Sequence, residues 1–264
     1  THSLSSSLFL FIPSYHSDSA TGMIKLPLIY FDLILVINQL FGFCLVGIAG
    51  FFFNTLDKGF KWSDNGADNF GNLNLHAMFM STGLVFLQGE AIIAYRMYRR
   101  DAKLISKFMH VVLHTLAVSL AGLGLYSVIR HKETHHINQF QTFHSWLGLV
   151  VLGAYVIQYF FGLLNFGLGI MPMKTRASFM PLHRISGCII FGVTSAQALI
   201  GQITFTTFAT GRPEFACYKD LTCSNHLDWV YNGQMISLVI YAISLLVLVT
   251  PNAWKRVKTI DEME

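Results

Sequence analysis

The sequence predicts an all-α integral membrane protein with six transmembrane helices. Three observations carry that prediction. Of 264 residues, 53% are hydrophobic and only 12% charged, whereas a soluble domain carries about 25% charged residues; mean hydropathy is +0.50. The apolar residues gather into six runs, each close to the roughly 20 residues a bilayer core requires. None of the runs alternates as a strand does, and an open segment in lipid satisfies its backbone only as a helix.

Residues 1–22 are serine-rich and broken by Pro13, and their LFLFI run is too short for a signal-peptide core; they read as a tail in which His2 and His16 are solvated. The membrane domain follows over 23–255, and 256–264 form a short cytosolic tail. The spans fall at about 31–53, 73–95, 108–129, 142–166, 182–208 and 230–250, the last ending before Pro251. Gly83, Gly89, Gly122, Gly124, Gly148 and Gly153 recur within them and suit close approach of a helix or a cofactor. Cys44 and Cys188 sit in apolar runs as core residues, while Cys217 and Cys223 share a polar loop where they could pair in an oxidising space. Four cysteines are too few for a disulfide scaffold and show no zinc spacing. No basic-aromatic tract of the nucleic-acid kind is present.

Lysine and arginine set the orientation. Of the 18, twelve lie in the tail, the second and fourth loops and the C-terminus, against six in the other loops. The positive-inside rule then places both termini in the cytosol. Asp57, Asp64, Asp68, Glu214, Asp220 and Asp228 fall on the opposite side.

With that topology the histidines acquire depth. His76 and His144 lie near the outer face, His110 and His183 near the cytosol. Each is about one turn inside the hydrocarbon, so the two pairs are separated by roughly 20 Å along the normal. One histidine in a membrane helix ordinarily bonds a neighbouring helix; four matched by depth on alternating helices point to function. Two imidazoles on facing helices can take both axial positions of a haem iron, a closed ligation that favours electron transfer. Zinc would want four ligands, commonly with thiolate or carboxylate, and neither lies near these pairs. His114 is one turn from His110 on the same face, and either could ligate. His131, His135, His136 and His226 lie in outer loops with surface roles. Glu90 could pair with a base or modulate a haem. Phe86, Phe143 and Trp146 are expected to fill the space around the rings.

The second loop, YRMYRRDAKLISK, has five basic residues and one acid, and Arg176 adds to the same face. Positive-inside bias alone explains that count; a site steering a small anion to the cytosolic pair explains it too.

Several ordered motifs now resemble the cytochrome b561 family of ascorbate-dependent transmembrane oxidoreductases. AIIAYRMYR (91–99) is similar to its apolar-then-YRxxR segment and KFMHVVLH (107–114) to its KxxHxxxH segment. QTFHSWLG (141–148) is similar to SLHSWxG, RASFMPLHRISG (176–187) to R-x6-H, and NLHAMFM (74–80) to NxHPxxM. The resemblance runs through 72–208. It implies two b-type haems within the central four-helix bundle, one on His110 and His183, the other on His76 and His144. It implies cytosolic ascorbate contacted by Lys103, Lys107 and Arg176, an outer acceptor that is monodehydroascorbate or a ferric chelate, and a homodimer in a vesicle, lysosomal or vacuolar, or plasma membrane. Ala77 stands where the family has proline, and Thr142-Phe143 where it has Ser-Leu. Two alternatives stand beside this expectation: a haem-bearing subunit serving a protein or quinol partner, and a haem-free histidine-relay transporter.

Overall fold

Among the described residues, six helices are each long and apolar enough to cross a membrane. The computed structural model describes residues 28–56, 59–62, 70–209 and 226–256, and no strand occurs among them. In chain order they are α1 (Leu28–Thr55), α2 (Gly71–Met97), α3 (Lys103–Thr134), α4 (Phe143–Gly167), α5 (Met173–Ala209) and α6 (His226–Val249). Two helices contain a wide turn, Ser81–Leu87 in α2 and Leu163–Gly167 in α4. The chain's cysteine pair Cys217 and Cys223, its first 22 residues and its last residues lie outside the described residues. Cys44 and Cys188 are half-buried and unpaired.

Helix ends depart from the expected spans in two places. α3 begins five residues before 108 and ends five after 129, and α5 begins nine before 182. Lys103, Lys107, Arg176 and His131 are therefore helical residues and not loop residues. Hydropathy marks where lipid ends; backbone hydrogen bonding continues into the interface. α5 even runs through Pro181, whose missing N–H costs a helix about 3 kcal/mol and is tolerated where neighbouring helices re-satisfy the backbone. α4 starts on a sequence signal: the Thr142 side chain accepts from Ser145 N–H at 3.2 Å, an N-cap.

Packing sorts the helices into three close pairs, α1 with α6, α2 with α3, and α4 with α5. Helices α2 to α5 form a bundle carrying the four histidines, while α1 and α6 buttress the back of α2. Leu45, Val85, Phe191, Leu238, Tyr241 and Leu245 fill that buttress. In lipid such contacts rest on close packing and buried polar bonds. Gly42 and Gly89 leave room for the Tyr241 ring, and Asn38 Nδ2 donates to Tyr241 O and Ser244 Oγ, both at 2.9 Å. Arg96 of α2 donates to Val249 O and Pro251 O, each at 2.6 Å. It thus closes the C-terminal end of α6 with a positive charge, as the helix dipole favours.

Candidate cofactor site

The bundle brings the four histidines together as two pairs. His76 and His144 face each other with ring centres 6.3 Å apart, and His110 and His183 with centres 6.4 Å apart. The ring planes cross at 89° and 72°. A metal–imidazole bond of about 2.0 Å plus roughly 1.1 Å from nitrogen to ring centre, doubled, gives about 6.2 Å. Both pairs therefore hold the separation of two imidazoles on opposite sides of one iron.

The second ring nitrogens are engaged in all four. His76 Nδ1–H donates to Gly124 O at 2.8 Å, and His110 Nδ1–H to Ala91 O at 2.6 Å. Gln158 Nε2 lies 2.9 Å from His183 Nδ1 and donates to His183 O at 2.7 Å. Gln197 Nε2 lies 2.8 Å from His144 Nδ1 and donates to His144 O at 2.5 Å. Donation from Nδ1 fixes the His76 and His110 rings and leaves their Nε2 lone pairs for a metal. The glutamine contacts fix the His144 and His183 rings, whose Nε2 can ligate only while Nδ1 carries the proton.

Space accompanies the His76–His144 pair. A cavity of about 840 Å³, counting its open mouth, is lined by His76, His144, Met80, Leu84, Leu125 and Leu152. Its wall is apolar, and Lys132, Gln139 and Phe140 stand among its lining residues. Glycines keep the rings clear: a Cβ on Gly201 would fall 2.6 Å from His144 Cε1, and one on Gly162 3.0 Å from His183 Cε1. Imidazole donors at this spacing, a cavity with an apolar wall and bare glycine faces fit a b-type haem.

Not every expectation around the rings holds. Phe143 and Trp146 are exposed at 71% and 61%, because they flank His144 by one and two residues on a helix whose His144 face points inward. Phe86 packs on Phe43 and Tyr241 at the buttress. The aromatic neighbours are instead Tyr95, 5.4 Å from His110, and Phe166, 5.0 Å from His183. Glu90 meets neither a base nor a histidine ring: Gln39 Nε2 reaches both its carboxylate oxygens at 3.0 Å, and Tyr241 Oη donates to one at 3.0 Å. His131 is buried, 5.6 Å from the Phe70 ring and 4.3 Å from His135; the extension of α3 draws it in. His114 lies 4.5 Å from His110, and its Nδ1 is 2.7 Å from the Tyr155 hydroxyl. Among the described contacts it is His110, not His114, that faces His183.

Charge gathers at the His110–His183 end. Lys103 and Lys107 sit one turn apart on α3, seven and three residues before His110, and Arg176 seven before His183 on α5, so helical periodicity sets them on the faces of those histidines. Lys103 is exposed, and Lys107 and Arg176 are half-buried. Arg99, at the end of α2, lies over the Phe31 ring at 5.4 Å. Burial, and then the like charge of Arg100, lowers its pKa.

Gln158, Gln197, Gly162 and Gly201 escaped the reading of sequence. The signal was present: glutamine is rare inside an apolar span, and intramembrane polar groups have partners.

Comparison with known proteins places these features in a lineage. Residues 75–209 match the family model of eukaryotic cytochrome b561. The chain is 31% identical over 219 residues to the plasma membrane ascorbate-dependent reductase CYBRD1 of Xenopus laevis, covering 80% of this chain and 74% of that one. It is 29% identical to the transmembrane ascorbate-dependent reductase CYB561 of Sus scrofa (83% and 82% covered). To the Homo sapiens protein of that name it is 28% identical (85% of each).

Proposed function

This chain belongs to the eukaryotic cytochrome b561 family, and from that premise we propose that it is an ascorbate-dependent transmembrane reductase carrying two b-type haems. When bound, haem supplies an iron that cycles between ferric and ferrous by one electron. The chain's residues do the rest. His76 with His144, and His110 with His183, would hold one haem iron each between two imidazoles, a ligation that would favour electron transfer over oxygen chemistry. The apolar walls between helices keep water from the rings.

Lys103, Lys107 and Arg176 hold anionic ascorbate at the cytosolic mouth, where it gives up one electron and one proton. The acceptor, monodehydroascorbate or a ferric chelate, takes its electron at the opposite mouth, beside Lys132 and Gln139. Both termini are cytosolic in this reading, the membrane domain spans 23–255, and the chain works as a homodimer. The observation that supports it most is the pair of ring separations, 6.3 and 6.4 Å.

The test is reconstitution in liposomes with ascorbate inside and ferricyanide, ferric citrate or monodehydroascorbate outside. Reduction outside, with a b-type reduced-minus-oxidised spectrum, is expected. A colourless protein would remove the haem assignment. A coloured protein reduced by a quinol but not by ascorbate would remove the donor assignment.

A further inference from the structure

α4 and α5 carry the same four residues at the same spacing. On α4 they are His144, Gly148, Gln158 and Gly162; on α5 they are His183, Gly187, Gln197 and Gly201. Both read H-x3-G-x9-Q-x3-G. The two helices run antiparallel, so the second half of each motif meets the first half of the other. Gln197 touches His144 at Nδ1 and at its carbonyl, and Gln158 does the same to His183. The last glycine of each lies under the same ring: Gly201 under His144, and Gly162 under His183. The first glycine lies under the glutamine: a Cβ on Gly148 would fall 2.8 Å from Gln197 Nε2, and one on Gly187 3.6 Å from Gln158 Nε2.

A carboxamide that grips both the ring nitrogen and the backbone of one histidine fixes both side-chain torsions. The ring plane is then set by the partner helix. Gln197 is 7% exposed, and its Nε2 is used up on His144. A side chain whose only duty was to join two helices would not need two contacts on one ligand, repeated with pseudo-twofold symmetry.

We propose that Gln197 and Gln158 are positioning residues for the two sites, arranged reciprocally. Each of α4 and α5 ligates one haem through its histidine and sets the ligand of the other haem through its glutamine. This rests on the two-haem reading above. Ligand orientation and the hydrogen bond on the non-coordinating nitrogen tune a haem's potential, so the repeat couples the tuning of the two sites to one helix pair.

The test uses the full chain in nanodiscs with Gln197→Leu, Gln158→Leu, Gln197→Glu and Gln158→Glu. Haem content of the parent is measured first; a haem-free parent removes the underlying reading and leaves the clamp unaddressed only because its premise has gone, which separates the two failures. Ferric EPR signals and midpoint potentials are then assigned with His144→Ala and His183→Ala. Gln197→Leu is expected to change the EPR anisotropy and shift the potential of the His76–His144 site alone, and Gln158→Leu those of the His110–His183 site alone. The Glu variants can accept from Nδ1–H but cannot donate to the histidine carbonyl, and are expected to move the potential of the same single site. Loss of haem confined to the site a glutamine serves supports the proposal. Unchanged signals in both Leu variants at full haem content overturn it. So does a variant that disturbs both sites equally, or the site ligated by its own helix. Should the Leu variants fail to fold, a Glu variant that moves neither site or both overturns it equally.

Discussion

Replacing Gly201 by alanine should cost the protein one haem. The new Cβ would lie 2.6 Å from His144 Cε1, 3.1 Å from Nδ1 and 3.4 Å from Nε2. Carbon atoms settle at about 3.5–4.0 Å, so the ring must yield by about 1 Å. Its freedom is small, because Gln197 holds the ring at Nδ1 and the residue's backbone at its carbonyl, and metal–ligand distances tolerate only about 0.2 Å. Overpacking of this kind costs about 1–3 kcal/mol, or roughly 5- to 150-fold in affinity at the His76–His144 site. The helix itself gains from the exchange, since alanine is favoured over glycine by about 1 kcal/mol, so unfolding is not the expected outcome. The assay is haem per chain together with the reduced-minus-oxidised spectrum. Gly201→Ala should approach one haem, the survivor ligated by His110 and His183. Gly162→Ala, with its Cβ 3.0 Å from His183 Cε1, should perturb the second site less. At Gly153, where nothing lies within 4 Å, alanine should change nothing. Gly201→Ala with two haems and the parent spectrum would refute the reasoning, as would a Gly153→Ala variant equally depleted.

His110→Ala should lose one haem while His114→Phe keeps two, because His114 is bonded to Tyr155; haem content of the two variants decides it. Lys107→Ala combined with Arg176→Ala should raise the KM for ascorbate about tenfold, roughly 1.4 kcal/mol of charge-assisted binding. The parent's KM should rise with ionic strength as screening sets in, and the double variant's should rise less; steady-state reduction at graded salt measures both. Arg96→Ala removes two bonds from a guanidinium to the end of α6, about 3 kcal/mol or more at the magnitude usual for charged donors. It should lower the midpoint of thermal unfolding in detergent, with Arg96→Lys recovering part of the loss.

The six spans and the four pairing histidines were legible because lipid imposes them: length and apolarity mark a span, and an imidazole in hydrocarbon demands a reason. What was not legible depended on which way a side chain points. Phe143 and Trp146 adjoin His144 in sequence, yet helical geometry turns them outward. Glu90 lies on α2, the helix of His76, but its partners are Gln39 and Tyr241 on the buttress helices, which no local pattern announces. The ends of α3 and α5 were misjudged because polar residues at a membrane surface do not stop a helix. The repeat H-x3-G-x9-Q-x3-G, by contrast, was present in the letters. It was hidden by the different residues filling it, and only the antiparallel packing of α4 on α5 shows why the two copies belong together.

The other two ligand helices obey the same rule with one exception that explains a feature of the fold. His110 on α3 precedes by 14 residues the Gly124 carbonyl that accepts from His76. That is the interval between histidine and glutamine on α4 and on α5. On α2 the interval is 15, from His76 to the Ala91 carbonyl that accepts from His110. Between those two residues lies the wide turn Ser81–Leu87, whose i→i+5 bonds take up one residue more than the i→i+4 ladder. Subtracting that residue returns α2 to 14. The four helices therefore present a histidine at one end and a grip for another histidine at the other, in equal register. α2 reaches that register with an extra residue in hand. It is also the helix that must serve two neighbours at once, with His76 and Ala91 facing the bundle while Gly89 and Glu90 face α1 and α6. A regular α-helix of 15 residues would turn Ala91 about 100° further from the register of the other three; the wide turn absorbs that rotation, so both faces of α2 meet their partners.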